Sequence, residues 1–141
     1  MHVRPYEPLD APGLALLLGE LGYPATTEQA AEYAGGFAAH AGATLLVAVE
    51  DGAVVGAAGG SLVPRLDADR LSCRITELVV TASSRRQGIG RALIAAIEAR
   101  AREAGAVRLD VSTGDWRTDA HAFYERLGFS DNARALVRRL G

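Results

Sequence analysis

The stretch from Ile75 to Arg102 (ITELVVTASSRRQGIGRALIAAIEARAR) constrains this chain more than any other. Ile75 to Val80 is a run of strand-forming residues, Thr81 to Ser84 a short polar turn, and Arg85-Arg86-Gln87-Gly88-Ile89-Gly90-Arg91 leads into a helix. The helix is read from Ile89, Leu93 and Ile97 at four-residue spacing, with Ala96 and Ala101 beside them and Arg91, Glu98 and Arg102 turned outward. Gly105 ends it. A strand that feeds a glycine-bearing turn at a helix N-terminus makes an anion site, because the first backbone N–H groups lack helical partners and the dipole is positive there. Gly88 and Gly90 let a ligand approach the main chain with no Cβ in the way. Arg85, Arg86 and Arg91 add charge suited to phosphate oxygens, and arginine at a helix start opposes the dipole unless an anion sits there. The implied ligand carries phosphate.

The rest of the composition bounds the class. At 141 residues the expectation is a single domain over residues 1–141, long enough to bury a core. With a formal charge of -2 there is no global basic field, which disfavours nucleic acid as a partner. Cys73 is the only cysteine, so no internal disulfide and no cysteine-based zinc site can form, and no metal is expected. The start (MHVRPYEPLDAPG) lacks the pattern of a signal peptide, and no segment reaches the roughly 20 apolar residues of a membrane helix. These features predict a soluble cytoplasmic protein that engages no membrane.

In chain order, His2 to Arg4 reads as a strand, and Asp10 as the cap of a helix with Pro12 in its first turn and Leu14, Leu17, Leu18 and Leu21 on one side. Thr27 is read as the cap of a second helix over Glu28 to His40, with Ala30, Ala34 and Phe37 facing inward. Thr44 to Glu50 and Ala53 to Leu62 flank Asp51-Gly52, a strong hairpin signal. Gly56, Gly59 and Gly60 in the second of these strands suggest a bulge or a close backbone approach. Pro64 to Arg70 turns into the strand ending at Val80. After the central helix, Ala106 to Ser112 reads as a strand, Gly114-Asp115 as a turn, Thr118 to Leu127 as a helix closed by Gly128 and Phe129, and Ala133 to Leu140 as a last strand.

Two familiar phosphate loops fail against Arg85 to Arg91. A Walker loop needs Gly-Lys-Ser/Thr, and the chain has no lysine; a dinucleotide fingerprint needs a third glycine where Leu93 stands. Arg85-x-x-Gly88-x-Gly90 after a strand instead resembles the acetyl-CoA pyrophosphate loop of the GNAT family of N-acetyltransferases. A second stretch at the distance that family shows, Ala122-Phe123-Tyr124-Glu125-Arg126-Leu127-Gly128-Phe129, is similar to its Phe-Tyr-Glu-x-x-Gly-Phe signature. The order of predicted elements agrees over essentially the whole chain.

The resemblance implies an α/β (α+β) acyl-CoA N-acyltransferase fold. Its sheet would be mixed and mostly antiparallel, with about six to seven strands and about four helices, splayed between the strand ending at Val80 and the one beginning near Ala106. Acetyl-CoA would be the co-substrate. Leu78, Val79 and Val80 match the strand whose backbone holds the pantetheine arm and thioester, and Arg85, Arg86, Gln87, Gly88, Ile89, Gly90 and Arg91 match the pyrophosphate loop. Tyr124 matches the tyrosine near the coenzyme sulfur. Seven residues before it Arg117 stands where many members carry asparagine, so a coenzyme contact there would go to arginine.

Acetyl transfer to an amine needs an acceptor for the amine's proton, a polarised carbonyl and a proton for the departing thiolate. Glu77 lies in an apolar strand, where alternation puts it on one face with Cys73, Ile75 and Val79; partial burial would raise its pKa toward that of a useful base, and it is taken as the base, acting through water. The alternative is a carboxylate paired with an arginine on the sheet surface. Asp110 is the reserve base, Tyr124 the acid, Cys73 a core residue, and Trp116 a cover for the core. Asp67, Asp69 and Glu32 are read as solvated surface charge. The acceptor expected is a primary amine of a small molecule, with a homodimer left open. Three other readings stand beside it: a protein or peptide acceptor, a degenerate acyl-CoA-binding module, and a toxin acting on charged tRNA. The acidic balance disfavours the last.

Overall fold

The computed structural model describes residues 1–112, 118–131 and 135–141. Met1–Asp110 and Val111–Gly141 form two compact units. The first holds β1 (His2–Pro5), a 3-10 turn (Pro8–Asp10), α1 (Ala11–Leu21), α2 (Thr27–Ala38), β2 (Ala43–Glu50), β3 (Ala53–Pro64), β4 (Leu71–Val80), a second 3-10 turn (Ala82–Ser84), α3 (Ile89–Glu103) and nearly all of β5 (Arg108–Val111). The strands lie in the order of the chain, and the pairings β1–β2, β2–β3 and β3–β4 are antiparallel. The Val107 N–H donates to the Leu71 carbonyl at 2.9 Å, beside the first residue of β4. From there β5 stays next to β4 only by running in the same direction, so the sheet is mixed and mostly antiparallel.

Local chemistry explains most boundaries. The β2–β3 hairpin closes through Asp51 (φ 51°) and Gly52 (φ 77°), with Glu50 opposite Ala53. Positive φ at both central residues is what a type I′ turn requires and what Asp-Gly tolerates. The cap of α2 is Thr26, one residue earlier than read from sequence. Its hydroxyl accepts from the Gln29 N–H at 3.0 Å, and the Gln29 side chain accepts from the Thr26 N–H at 2.9 Å, a reciprocal box that Thr27 does not make. Asp10 is the N-cap residue of α1, as read from sequence, but its side chain makes no capping bond to that helix. Its carboxylate accepts from two Arg4 nitrogens at 2.8 Å each and from the Glu7 N–H at 2.7 Å, which ties β1 to the start of α1. The Arg4 hydrogen bond holds this buried carboxyl below the usual range against the opposing effect of burial.

The sheet is covered on both faces. On one lies α3, with Ile89, Leu93, Ile94 and Ile97 buried; fully burying such a side chain is worth about 1.5–3 kcal/mol. Gly56 and Gly60 let it come close. A Cβ on Gly56 would stand 3.1 Å from Leu93, and one on Gly60 3.2 Å from Ile97. On the other face Leu14 and Leu17 of α1 and Ala30 and Ala34 of α2 pack with Val47, Val49, Ala57 and Val79.

In the second unit α4 (Thr118–Arg126) ends at Gly128, whose φ is 92°, and the Phe129 N–H returns to the Tyr124 carbonyl at 3.0 Å. The Tyr124 ring meets Phe123 and Phe129 edge-on, with centroids 5.3 and 5.6 Å away. The last expected strand is not found as such: residues 135–140 have no regular structure, and Leu136, Val137 and Leu140 are exposed. Alternating residues favour a strand, but one forms only where a neighbour takes up its backbone groups. The sheet therefore has five strands among the described residues rather than six to seven.

Candidate active site

A bulge in β4 decides where Glu77 points. Gly59 faces Glu77 and Gly60 faces Ile75, so Thr76 is an extra residue on β4. Strict alternation therefore fails at that point. Cys73 stays on the α3 side, since a Cβ on Gly60 would meet both Cys73 Sγ and Ile97. Past the bulge, Val79 packs with α1 and α2, and a Cβ on Gly59 would meet Glu77, Thr76 and Phe37 of α2. Glu77 and Val79 thus lie on the opposite face from Cys73 and Ile75. Glu77 is also exposed, not partly buried, so the burial argument for it as a base does not apply. Orientation takes its place: the Thr76 hydroxyl donates to Glu77 Oε1 at 2.7 Å, which fixes the carboxylate and leaves Oε2 without a partner among the described residues.

The same strand presents backbone to a ligand. The Thr81 N–H donates to the Val55 carbonyl at 2.9 Å, which sets the phase of the β3–β4 ladder. Because alternate residues bond to a given neighbour, Val79 and Glu77 spend their N–H and C=O groups on β3. Leu78 and Val80 turn theirs to the other edge. Val79, matched to the coenzyme strand from sequence, is committed to sheet and core, whereas Leu78 and the Val80 N–H remain suited to pairing with an extended ligand; the Val80 carbonyl is taken by Arg85.

Beyond Val80 the chain turns through Ala82–Ser84 into the phosphate-type loop. Arg86 (φ 66°) and Gly88 (φ 80°) are both left-handed. For arginine that conformation is uncommon and costs about 1–2 kcal/mol, a strain typical of ligand-gripping turns. Gly88 is the N-cap of α3, and among the described residues no side chain caps that terminus. The site of a Gly88 Cβ meets nothing within 4 Å. The first turn thus begins with no side-chain cap and with room beside Gly88, and Arg86, Gln87 and Arg91 are exposed around it while the Ile89 side chain is buried. Arg85 departs from the expectation. Its Nε donates back to the Val80 carbonyl at 3.1 Å and its guanidinium lies 4.0 Å from Glu20.

Glu20 was not singled out in the sequence. It reaches from the end of α1 to accept from the Thr81 hydroxyl at 2.7 Å and the Ala82 N–H at 2.9 Å, bonds that hold its carboxyl below the usual range. It therefore pins the turn from which the loop springs. Thr76 was missed too, because its role exists only through the bulge; the Gly59-Gly60 pair was the one signal for it.

Other candidates are committed elsewhere. Asp110 accepts from Arg108 at 2.7–2.8 Å, and Arg108 also reaches Asp69 at 3.2 Å. Asp67 pairs with Arg65 at 2.8 Å. Cys73 is buried, and burial pushes its thiol pKa up, which suits a core residue. Tyr124 is half-buried on α4. Arg117 and Trp116 lie outside the described residues. No described helix is long and apolar enough to cross a membrane.

An open, uncapped helix start beside two outward-facing strand residues fits a ligand with a phosphate group and an extended amide arm. Comparison with known proteins bears on this arrangement. The acetyltransferase (GNAT) family pattern matches residues 14–129. An aminoalkylphosphonate N-acetyltransferase of Salmonella typhimurium is 47% identical over 58 residues, which span 41% of this chain and 38% of that enzyme. Among solved structures, a protein from Agrobacterium tumefaciens is 29% identical, with 99% of this chain and 100% of that one covered and a TM-score of 0.88. A Trypanosoma brucei acetyltransferase is 26% identical over 99% of both chains, with a TM-score of 0.83. An aminoglycoside N-acetyltransferase solved with CoA, 18% identical over 99% of this chain and 93% of that one, shares the fold at a TM-score of 0.86.

Proposed function

The chain belongs to the acetyltransferase (GNAT) family, and from that premise we propose that residues 1–141 act as one catalytic domain moving an acetyl group from acetyl-CoA directly to a primary amine of a small molecule. The observation that carries the reading is the continuity of two backbone surfaces in one segment: the outward N–H groups of Leu78 and Val80 with the Leu78 carbonyl, and the uncapped amides at Gly88 to Arg91. Acetyl-CoA supplies an activated acyl group as a thioester. The first turn of α3, with Arg86 and Arg91, would hold the diphosphate. The edge of β4 would hold the pantetheine arm, with an outward N–H polarising the carbonyl. Arg117, matched by position alone, is assigned to the same coenzyme.

Glu77, oriented by Thr76, is the proposed base. Its Oε2 takes the amine's proton directly or through water. Tyr124 is the proposed acid, giving its phenolic proton to the departing sulfur. A small-molecule acceptor is favoured by the aminoalkylphosphonate N-acetyltransferase relative. The test is calorimetry with CoA and acetyl-CoA, followed by thiol release from acetyl-CoA across amines, polyamines, aminoglycosides, amino acids and peptides. The expected result is coenzyme binding and turnover of a small amine. Glu77→Gln and Tyr124→Phe should each lower turnover by about a hundredfold or more with coenzyme affinity kept. Unaltered turnover in either variant removes that residue from the mechanism, and absence of heat with both ligands overturns the coenzyme site.

A further inference from the structure

α1 is fixed along its whole length. At its start the Asp10 carboxylate takes two bonds from Arg4 of β1. Gly13 lies so close to β3 that a Cβ there would stand 2.8 Å from Val54 Cβ. Near the other end, one turn before Gly22 (φ 100°), Glu20 spends both carboxylate oxygens on a single turn of the chain: Oε2 accepts from the Thr81 hydroxyl at 2.7 Å and Oε1 from the Ala82 N–H at 2.9 Å. Arg85 folds back over the same turn. Its Nε donates to the Val80 carbonyl at 3.1 Å, and its guanidinium lies 4.0 Å from Glu20. The next residue, Arg86, is left-handed (φ 66°), and such a backbone persists only where its surroundings over-determine it. Here they include the Val55 carbonyl on the Thr81 N–H, Glu20 on the turn and Arg85 across it.

We propose that Glu20 and Arg85 are positioning residues that hold the loop over residues 86–90 in its ligand-ready shape, and that neither touches the diphosphate. The proposal rests on the acetyltransferase reading and divides the arginines of that loop by task. Arg86 and Arg91 supply charge, whereas Arg85 is spent on the main chain of β4. The tie from Glu20 acts through its two hydrogen bonds, because a 4.0 Å contact between exposed charges contributes little. Loosening it lowers the fraction of protein whose loop is competent to bind, and apparent affinity falls by that fraction. Since α1 is rigid, it carries the position of the sheet's far edge to the coenzyme loop.

The experiment measures CoA affinity by calorimetry and, in the free protein labelled with nitrogen-15, the amide shifts of the loop. Glu20→Ala should weaken CoA by about fivefold or more and move the Gln87, Gly88 and Gly90 amides while leaving Ile97 to Arg100 in place. Glu20→Gln should stay within about twofold of the wild type, because its amide group can still accept from the Ala82 N–H and donate to the Thr81 oxygen. Arg85→Ala should weaken CoA by about fivefold, and the double variant should be no more than about twofold weaker than the weaker single one, since the two act as one unit. If Glu20→Ala does not fold, Thr81→Val removes the same tie from its other end and should weaken CoA in the same direction. Wild-type affinity in Glu20→Ala, a loss in Glu20→Gln equal to that in Glu20→Ala, or fully additive losses with Arg85→Ala would overturn the proposal. A wild-type protein that does not bind CoA overturns the coenzyme reading instead, and the loop shifts of the free variants still decide whether Glu20 holds the loop.

Discussion

Gly56 is where core packing and coenzyme binding should be separable by one methyl group. It is buried opposite Val80, and a Cβ there would lie 3.1 Å from Leu93 Cδ1, 3.1 Å from the Val79 carbonyl oxygen and 3.2 Å from Ile89 Cγ2. Ordinary contacts begin at 3.4 Å, so in Gly56→Ala the neighbours must retreat by about 0.3 Å in an interior packed like a crystal. Overpacking of this kind costs about 1–3 kcal/mol, and alanine recovers about 0.5–1 kcal/mol of the glycine's backbone entropy in a strand. The net expectation is a loss between about 0 and 2.5 kcal/mol, centred on about 1 kcal/mol, read as a fall of about 0.5 M in the urea midpoint. Ile89 and Leu93 belong to the first turns of α3, the part that presents amides to the proposed diphosphate, so CoA affinity should fall by about three- to tenfold as that turn moves. Gly60→Ala is the control. Its Cβ would press Ile97 at 3.2–3.3 Å and Cys73 at 3.3 Å, two turns further along the helix. It should lose similar stability and keep CoA affinity within about twofold. Equal loss of CoA affinity in both variants, or a gain of stability in Gly56→Ala, would refute the reasoning that α3 is seated by these glycines and delivers its N-terminus to the ligand.

Two further outcomes follow from single side chains. The folded-state pKa of Asp10 is depressed, so its contribution to stability is complete above the unfolded value of about 3.9 and is lost as pH falls through the folded value. Asp10→Asn should therefore be destabilised at neutral pH, and its gap from the wild type in urea titrations should close below about pH 3.9; a gap independent of pH would mean the pair with Arg4 is not what the carboxylate supplies. Asp110 is occupied by Arg108, so Asp110→Asn should keep thiol release within about threefold of the wild type, while a drop of the size expected for a proton acceptor, about a hundredfold, would restore it as the base.

Much of the fold was legible because it rests on local rules. The Asp51-Gly52 hairpin, the amphipathic α3 and its stop at Gly105, the glycine end of α4, and the two motifs are each written in a few consecutive residues. Errors of one residue arose where two local solutions compete, as at Thr26 and Thr27. The Ala133 to Leu140 strand was overread because alternation describes a side-chain pattern, while a strand needs a second chain segment to bond with.

By itself, the sequence determined the strand–glycine loop–helix unit, the family resemblance and the residues suited to each chemical task. Only the tertiary structure decided which way they point. The extra residue at Thr76 moves Glu77 to the face opposite Cys73 and Ile75, the ladder phase gives Leu78 and Val80 but not Val79 to the open edge, and Glu20 arrives from α1 to fix a turn sixty residues away. Periodicity carries through an unbroken strand, but register and long-range bonds depend on what the neighbouring strand and helices contribute, which no window of consecutive residues contains.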